Sequence, residues 1–316
     1  MKRLSQEQRY LIQGLLNAGR TQEFIANEVG CSQSTISREI DRNSTQKGYN
    51  AHTAQKKASE RARTTHVHRL YDDQHWERVE SLLREDLSPD QIVGRCSHEG
   101  VDCPSIEYIY RHIWADKKRG GDLHTHLRQR HPKNYSRSRR NDYRGRIPNL
   151  VSIDERPSIV DRRERYGDLE IDLVIGKDHK GKLLTVNDRA SGECWIRKLG
   201  SKNADEVADT LIEVLNPIKK KLHTITSDNG REFAAHARIA EALGISYYFA
   251  HPYHSWERGS NENLNGLIRQ YIPKNERIEY LDEEYIAWVE KKLNNRPRKR
   301  LDYLTPKEYI LTKLKC

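Results

Sequence analysis

Three acidic residues stand where a carboxylate is conspicuous. Asp172 lies in GDLEIDLVIG, inside Leu169–Ile175, which reads as a buried strand. A carboxylate there needs a cation or hydrogen-bond donors, because burying it unpaired is costly. Asp228 follows His223–Ser227, a short strand, and opens an Asp-Asn-Gly turn. It therefore sits at a strand's carboxyl end, where open α/β sheets gather ligands. Glu262 lies in SWERGSNENLNGLIRQYIPK. At helical spacing Leu264, Leu267, Ile268 and Tyr271 form one apolar face. Arg258, Glu262, Asn265 and Arg269 line the other, so this carboxylate is flanked by cations and an amide. Taken singly, a turn aspartate or a solvated helix face explains much of this. Together, three carboxylates from two strands and a helix offer the oxygen ligands that suit Mg²⁺, with Mn²⁺ as a substitute.

Thirty-three residues separate Asp228 from Glu262, and Arg269 follows two helical turns later. With that spacing, the blocks GDLEIDLVIG, ITSDNG and FAHPYHSWERGSNENLNGLIRQYIPK resemble the insertion-sequence-thirty family of bacterial transposases, which carry an Asp-Asp-Glu catalytic core of the retroviral integrase type. The resemblance extends over nearly the whole chain. It departs at His251, where the family usually has an acidic residue, and at Leu169-Glu170-Ile171-Asp172, where the family usually has Trp-Glu-Gly-Asp.

The resemblance implies a DNA transposase that binds the ends of its element and catalyses metal-dependent 3′-strand cleavage and strand transfer into target DNA. Asp172, Asp228 and Glu262 would be the catalytic metal ligands of a two-metal site. Arg258, Asn265 and Arg269 would position phosphates. Glu257 is a rival for the third carboxylate, and Glu170, on Asp172's strand face, is an alternate or supporting ligand. His251 and His254 suit zinc better than magnesium and are expected to position DNA; no zinc is expected. The partners implied are double-stranded DNA, both terminal inverted repeats and target, and further copies of the chain in a homodimer or larger synaptic complex. A sequence-specific repressor and a two-metal nuclease without joining activity are the alternatives.

The elements that must position these residues can be read in order. Leu169–Ile175, Leu183–Asn187 and Glu193–Leu199 form a meander, followed by a helix capped at Asn203 with Ala204, Val207, Ala208, Leu211 and Leu215 on its stripe. The strand before Asp228, a helix, the strand Ile245–Ala250 and the Glu262 helix complete an α/β core. With the resemblance, this is the ribonuclease H-like order. Ahead of it come all-α segments. Residues 5–42 give three short helices in a helix-turn-helix, with Gln33, Ser34, Thr35, Ser37 and Arg38 outward, types suited to a DNA major groove. A divergent second helix-turn-helix follows, with a capping Ser88-Pro89 and a last helix carrying Ile106, Ile109, Tyr110 and Ile113. The spacing of Cys96, His98, Cys103 and His112 matches no common zinc finger.

Charge supports a polyanionic partner. The chain nets +10 over 316 residues. Residues 117–146 hold 11 Lys and Arg against 2 acidic residues, so this one segment carries almost the whole surplus. Arg137, Arg139 and Arg140 within it are candidate phosphate contacts. The expected divisions are a first helix-turn-helix (1–45), a connector (46–70), a second helix-turn-helix (71–118), a basic linker (119–150), the catalytic core (151–300) and a tail (301–316). Five scattered cysteines, no long apolar run and the polar start MKRLSQEQ point to a cytoplasmic protein, and the resemblance implies a bacterial, nucleoid-associated one.

Overall fold

The structure is a computed structural model that describes residues 4–64, 71–128, 147–201, 203–252 and 254–313. It divides into two compact units, Met1–Asp72 and Asp73–Cys316.

The first unit holds helices α1 (Gln6–Asn17), α2 (Gln22–Val29), α3 (Gln33–Asn43) and α4 (Ala51–Thr64). Ser5 and Gln8 cap α1 reciprocally, and Gly30 ends α2 in the left-handed conformation with φ 73°. Ile12, Ile25, Ala26, Val29 and Ile36 form the core. The first domain runs past its expected end at residue 45. The segment read as a connector supplies α4, whose Ala51 and Ala54 are fully buried, and the Ala51 N–H bonds to Gln13 Oε1 at 2.8 Å. Alanines that look like linker composition are here the small residues that let α4 lie close on α1.

In the second unit, α5 (Asp73–Arg84), α6 (Pro89–His98) and α7 (Ile106–Lys118) surround Val79, Leu83, Ile92, Ile109 and Ile113. These helices share a unit with the catalytic core rather than forming a separate body. Arg95 on α6 grips Glu308 through two bonds of 2.7 Å, and Gln91 donates to the Pro297 carbonyl at 2.8 Å. Glu308 belongs to α13 (Pro306–Lys313), so the expected tail closes this contact. The Arg95 guanidinium holds the Glu308 carboxyl down to about 2.

The core begins with α8 (Ser158–Arg162) and is built on five strands: β1 (Asp168–Ile175), β2 (Lys182–Asp188), β3 (Cys194–Leu199), β4 (Thr224–Ser227) and β5 (Ser246–Phe249). Their order is β3-β2-β1-β4-β5, with the first three antiparallel and β1, β4 and β5 parallel, the ribonuclease H-like arrangement. On one face α9 (Ala204–Leu215) and α10 (His236–Leu243) bury Leu169, Ile171, Leu184 and Ile225. On the other, α11 (Gly259–Tyr271) and α12 (Glu283–Asn294) cover Val174, Leu183, Cys194 and Ile196. Strand alternation therefore aims Glu170, Asp172 and Val174 at the α11 side.

Gly167 sets where β1 starts. Its φ is +93°, and a Cβ there would meet the Lys221 carbonyl oxygen at 1.9 Å. Its N–H donates to Asp188 at 2.8 Å, and its carbonyl accepts from His223 at 2.9 Å, so both sheet neighbours depend on its position. Gly167→Ala is expected to lose more than the ~1–3 kcal/mol that backbone strain alone costs, read as a lower denaturation midpoint in equilibrium unfolding.

Candidate active site

Asp172 lies midway along β1 under α11. Its Oδ1 accepts from the Leu173 N–H at 2.9 Å, and its Oδ2 accepts from Asn265 Nδ2 at 2.8 Å. Burial pushes its carboxyl above the usual range; the Arg258 guanidinium opposes this and the nearby Asp228 charge adds to it. Asp228 follows β4, the parallel neighbour of β1, and its Oδ1 accepts from the Gly230 N–H at 3.0 Å in the turn the sequence announced.

Arg258 joins the two aspartates. Nη1 lies 3.5 Å from Asp172 Oδ1 and Nη2 lies 3.5 Å from Asp228 Oδ2. A cation thus already stands between carboxylates from adjacent strands. Glu262, one turn further along α11, is exposed and has no hydrogen bond or ion pair among the described residues. The oxygen-rich donor set fits a hard divalent cation, provided Arg258 turns away from both aspartates.

The other candidates are placed as follows. Arg269 donates from Nη2 to the Ile175 carbonyl at 2.7 Å and from Nη1 to Ile272 and Pro273 at 3.4 Å. These bonds tie α11 to the end of β1, a role distinct from the expected phosphate contact. Glu170 is fully buried, ion-paired with Arg189 and accepting the Asn261 N–H at 2.9 Å. It anchors the start of α11 and does not open onto the site. Glu257 is engaged by His251, from both its N–H and Nδ1 at 2.8 Å. Among the described residues, the group whose potential ligand atoms already lie within 4.8 Å of one another is His251, His254 and Glu257, not the three carboxylates.

On α3, Gln33, Ser34 and Arg38 are exposed, while Thr35 and Ser37 are half-buried. Gln33 donates to Gln22 at 3.0 Å, and Ser32 shares its hydroxyl with Ser34 at 3.0 Å and Thr35 at 2.9 Å. Arg137, Arg139 and Arg140 lie outside the described residues. In the second helix-turn-helix, His112 meets Glu80 at 2.8 Å and stacks on Trp76. Sequence reasoning missed the inward turn of Arg258 and the Glu170–Arg189 pair. The signal for the second was available, since a glutamate among Leu and Ile needs a partner as much as Asp172 does.

His251 sits between two carboxylates, Glu257 at 2.8 Å and Asp154 at 3.0 Å, which raise its pKa, Glu257 foremost. The stability it contributes is full below the ordinary histidine value and is lost as pH rises through the higher folded value. Proton NMR of the imidazole should show His251 titrating above the ordinary range, and Glu257→Gln should bring it down; an unmoved titration would separate His251 from Glu257.

Comparison with known proteins agrees with this architecture. An integrase core domain model matches residues 162–255, and a helix-turn-helix domain model matches residues 1–43. The chain is 50% identical over 309 residues to the transposase for insertion sequence element IS4351 of Bacteroides fragilis, covering 97% of this chain and 95% of that protein. It is 33% identical over 298 residues to the transposase for IS1086 of Cupriavidus metallidurans, covering 90% and 87% of the two chains. Against transposase InsI for IS30C of Escherichia coli the identity is 33% over 324 residues, covering 97% and 83%. A helix-turn-helix unit ahead of an integrase core, matched over 90–97% of the chain by these relatives, makes the chain a member of the IS30 family of transposases.

Proposed function

We propose that this transposase cleaves the 3′ strands at the ends of its insertion sequence and transfers them into target DNA, using Mg²⁺ held by Asp172, Asp228 and Glu262. The observation that carries the reading is the convergence of Asp172 and Asp228, from neighbouring parallel strands, on one guanidinium, with Glu262 unengaged one turn along the same helix. When bound, divalent metal supplies Lewis-acid activation of the phosphoryl group and a water of lowered pKa.

The chain's own residues do the positioning. Asn265 fixes the rotation of the Asp172 carboxylate, leaving Oδ1 turned toward Arg258. Arg258, once it releases the aspartates, is placed to hold a DNA phosphate beside them. No serine or tyrosine nucleophile is required, because water and then a 3′-hydroxyl attack phosphorus directly. The α3 face reads the element ends, and the basic segment 117–146 with Arg137, Arg139 and Arg140 adds phosphate contacts. The active complex contains two or more copies of the chain on the paired ends. No helix among the described residues is long and apolar enough to cross a membrane.

The test is a supercoiled plasmid carrying the element ends. Asp172→Asn, Asp228→Asn and Glu262→Gln should each lose cleavage and joining by at least ~100-fold while retaining end binding. Asn265→Ala, which frees the Asp172 carboxylate, should lose about 10–100-fold. Glu257→Gln should stay active. Nicks without joined products in the unaltered protein would make it a nuclease, and normal cutting by all the acidic-site variants would exclude this metal site.

A further inference from the structure

On the other flank of the start of α11 lies a cavity of about 180 Å³ whose walls include Arg163, Arg298, Arg300, Asn187, Ser260 and Asn263, and no carboxylate. Three observations single it out. First, α11 is thirteen residues long and its N-cap residue, Arg258, makes no cap bond, so apart from the Asn261 N–H, which Glu170 accepts, the positive end of its dipole adds to the charge of this region. Second, the Ser260 hydroxyl is buried, with only 9% of the residue exposed, and has no hydrogen-bond partner among the described residues. Third, Arg298 Nε is also buried and, among the described residues, unpartnered; Nη2 donates to the Leu293 carbonyl at 3.1 Å. Arg300 likewise spends Nη1 on a carbonyl, that of Ala190, at 2.5 Å.

Among the described residues, no ion pair neutralises Arg298 or Arg300. Burial pushes the Arg298 pKa down to about 10; Cys194 pulls it back up, and the guanidinium groups of Arg296, Arg300 and Arg128 add to the fall. Asp188 and Glu170 act on Arg300 without pairing with it, and buried positive charge without a direct partner is costly unless an anion arrives. A helix amino end with arginines and a free hydroxyl is the chemistry that receives a phosphate.

The geometry points to a seat for a backbone phosphate of DNA, formed by Ser260, Arg298, Arg300 and the amino end of α11. It rests on the transposase reading for the source of that phosphate. Ser260 lies two residues from Arg258, so the seat would grip the strand beside the nucleotide presented to Asp172 and Asp228. The basic turn NNRPRKR then has a defined task, since it brings Arg298 and Arg300 to the cavity wall.

The test uses the full chain in a metal chelator, so its outcome is independent of cleavage. Thermal unfolding is followed in inorganic phosphate and in chloride at matched ionic strength, for the unaltered protein, Ser260→Ala and Arg300→Gln. The unaltered protein should gain a Tm increment that grows with phosphate concentration, and both variants should lose most of it. Ser260→Ala removes only a hydroxyl and keeps the test decisive if Arg300→Gln folds poorly. Binding to a random duplex is then measured against salt. Loss of the Arg300 charge from this contact, in Arg300→Gln, should reduce the log–log slope by about 0.9. Equal phosphate increments in all three proteins would overturn the seat. A lost increment with an unchanged slope would overturn the assignment to DNA and leave a free-anion site. In either case the plasmid assay of the acidic variants still decides the transposase mechanism on its own.

Discussion

The buried charge of Glu170 governs where everything else in the site can sit. It lies on β1 with no exposed surface, paired with Arg189 from the β2–β3 turn and with the Asn261 N–H at the start of α11. One carboxylate therefore ties together a strand, a turn and a helix end. Leaving a buried charge without its partner costs roughly 3–5 kcal/mol, so helix and strand cannot slide past each other without losing that pairing. Asp172 is two residues along the same strand face and Glu262 one residue beyond Asn261. Two further ties run the length of α11: Asn265 to Asp172 at 2.8 Å and Arg269 to the Ile175 carbonyl at 2.7 Å. The helix is thus fixed at its start, middle and end, and it carries Glu262, whose own side chain has no partner among the described residues.

Much of this was legible because it depends on local periodicity. The period of two along Leu169–Ile175 puts Glu170, Asp172 and Val174 on one face, and the structure packs Val174 under α11 and α12 while Ile171 packs under α9 and α10. The helical period likewise separated Leu264, Leu267 and Ile268 from Glu262 and Arg258. The helix caps at Ser5, Ser88 and Asn203 were readable because each acts on backbone only a few residues away.

The parts that could not be read are those set by distant partners. A periodic pattern places Arg269 beside Glu262 on the outer face, but not its guanidinium, which reaches back to carbonyls at the ends of β1 and α11. The polar composition of Ala51–Thr64 fits a helical or a loose connector alike, because its buried residues among those described are alanines; its core contact is visible only once α1 is present. The union of α5–α7 with the catalytic core rests on Arg95–Glu308 and Gln91–Pro297, pairings across more than two hundred residues. The Arg258 bridge is of the same kind, needing both strands to be adjacent before two aspartates can share one cation.

The two flanks of the start of α11 carry opposite electrostatic imbalances. On one, Asp172 and Asp228 share a single guanidinium at 3.5 Å, and burial together with their mutual repulsion raises the Asp172 carboxyl. On the other, Arg298 and Arg300 face a cavity without a carboxylate. A folded protein can carry such imbalances when the complex it forms supplies the missing charges. Under the proposed mechanism these are divalent cation on the first flank and DNA phosphate on the second. Under the same mechanism Arg258 would couple them: its guanidinium would leave the aspartates when a cation is held there and would be free for a phosphate of the same strand. Metal and DNA would then each make room for the other, so the site would assemble only when both are present.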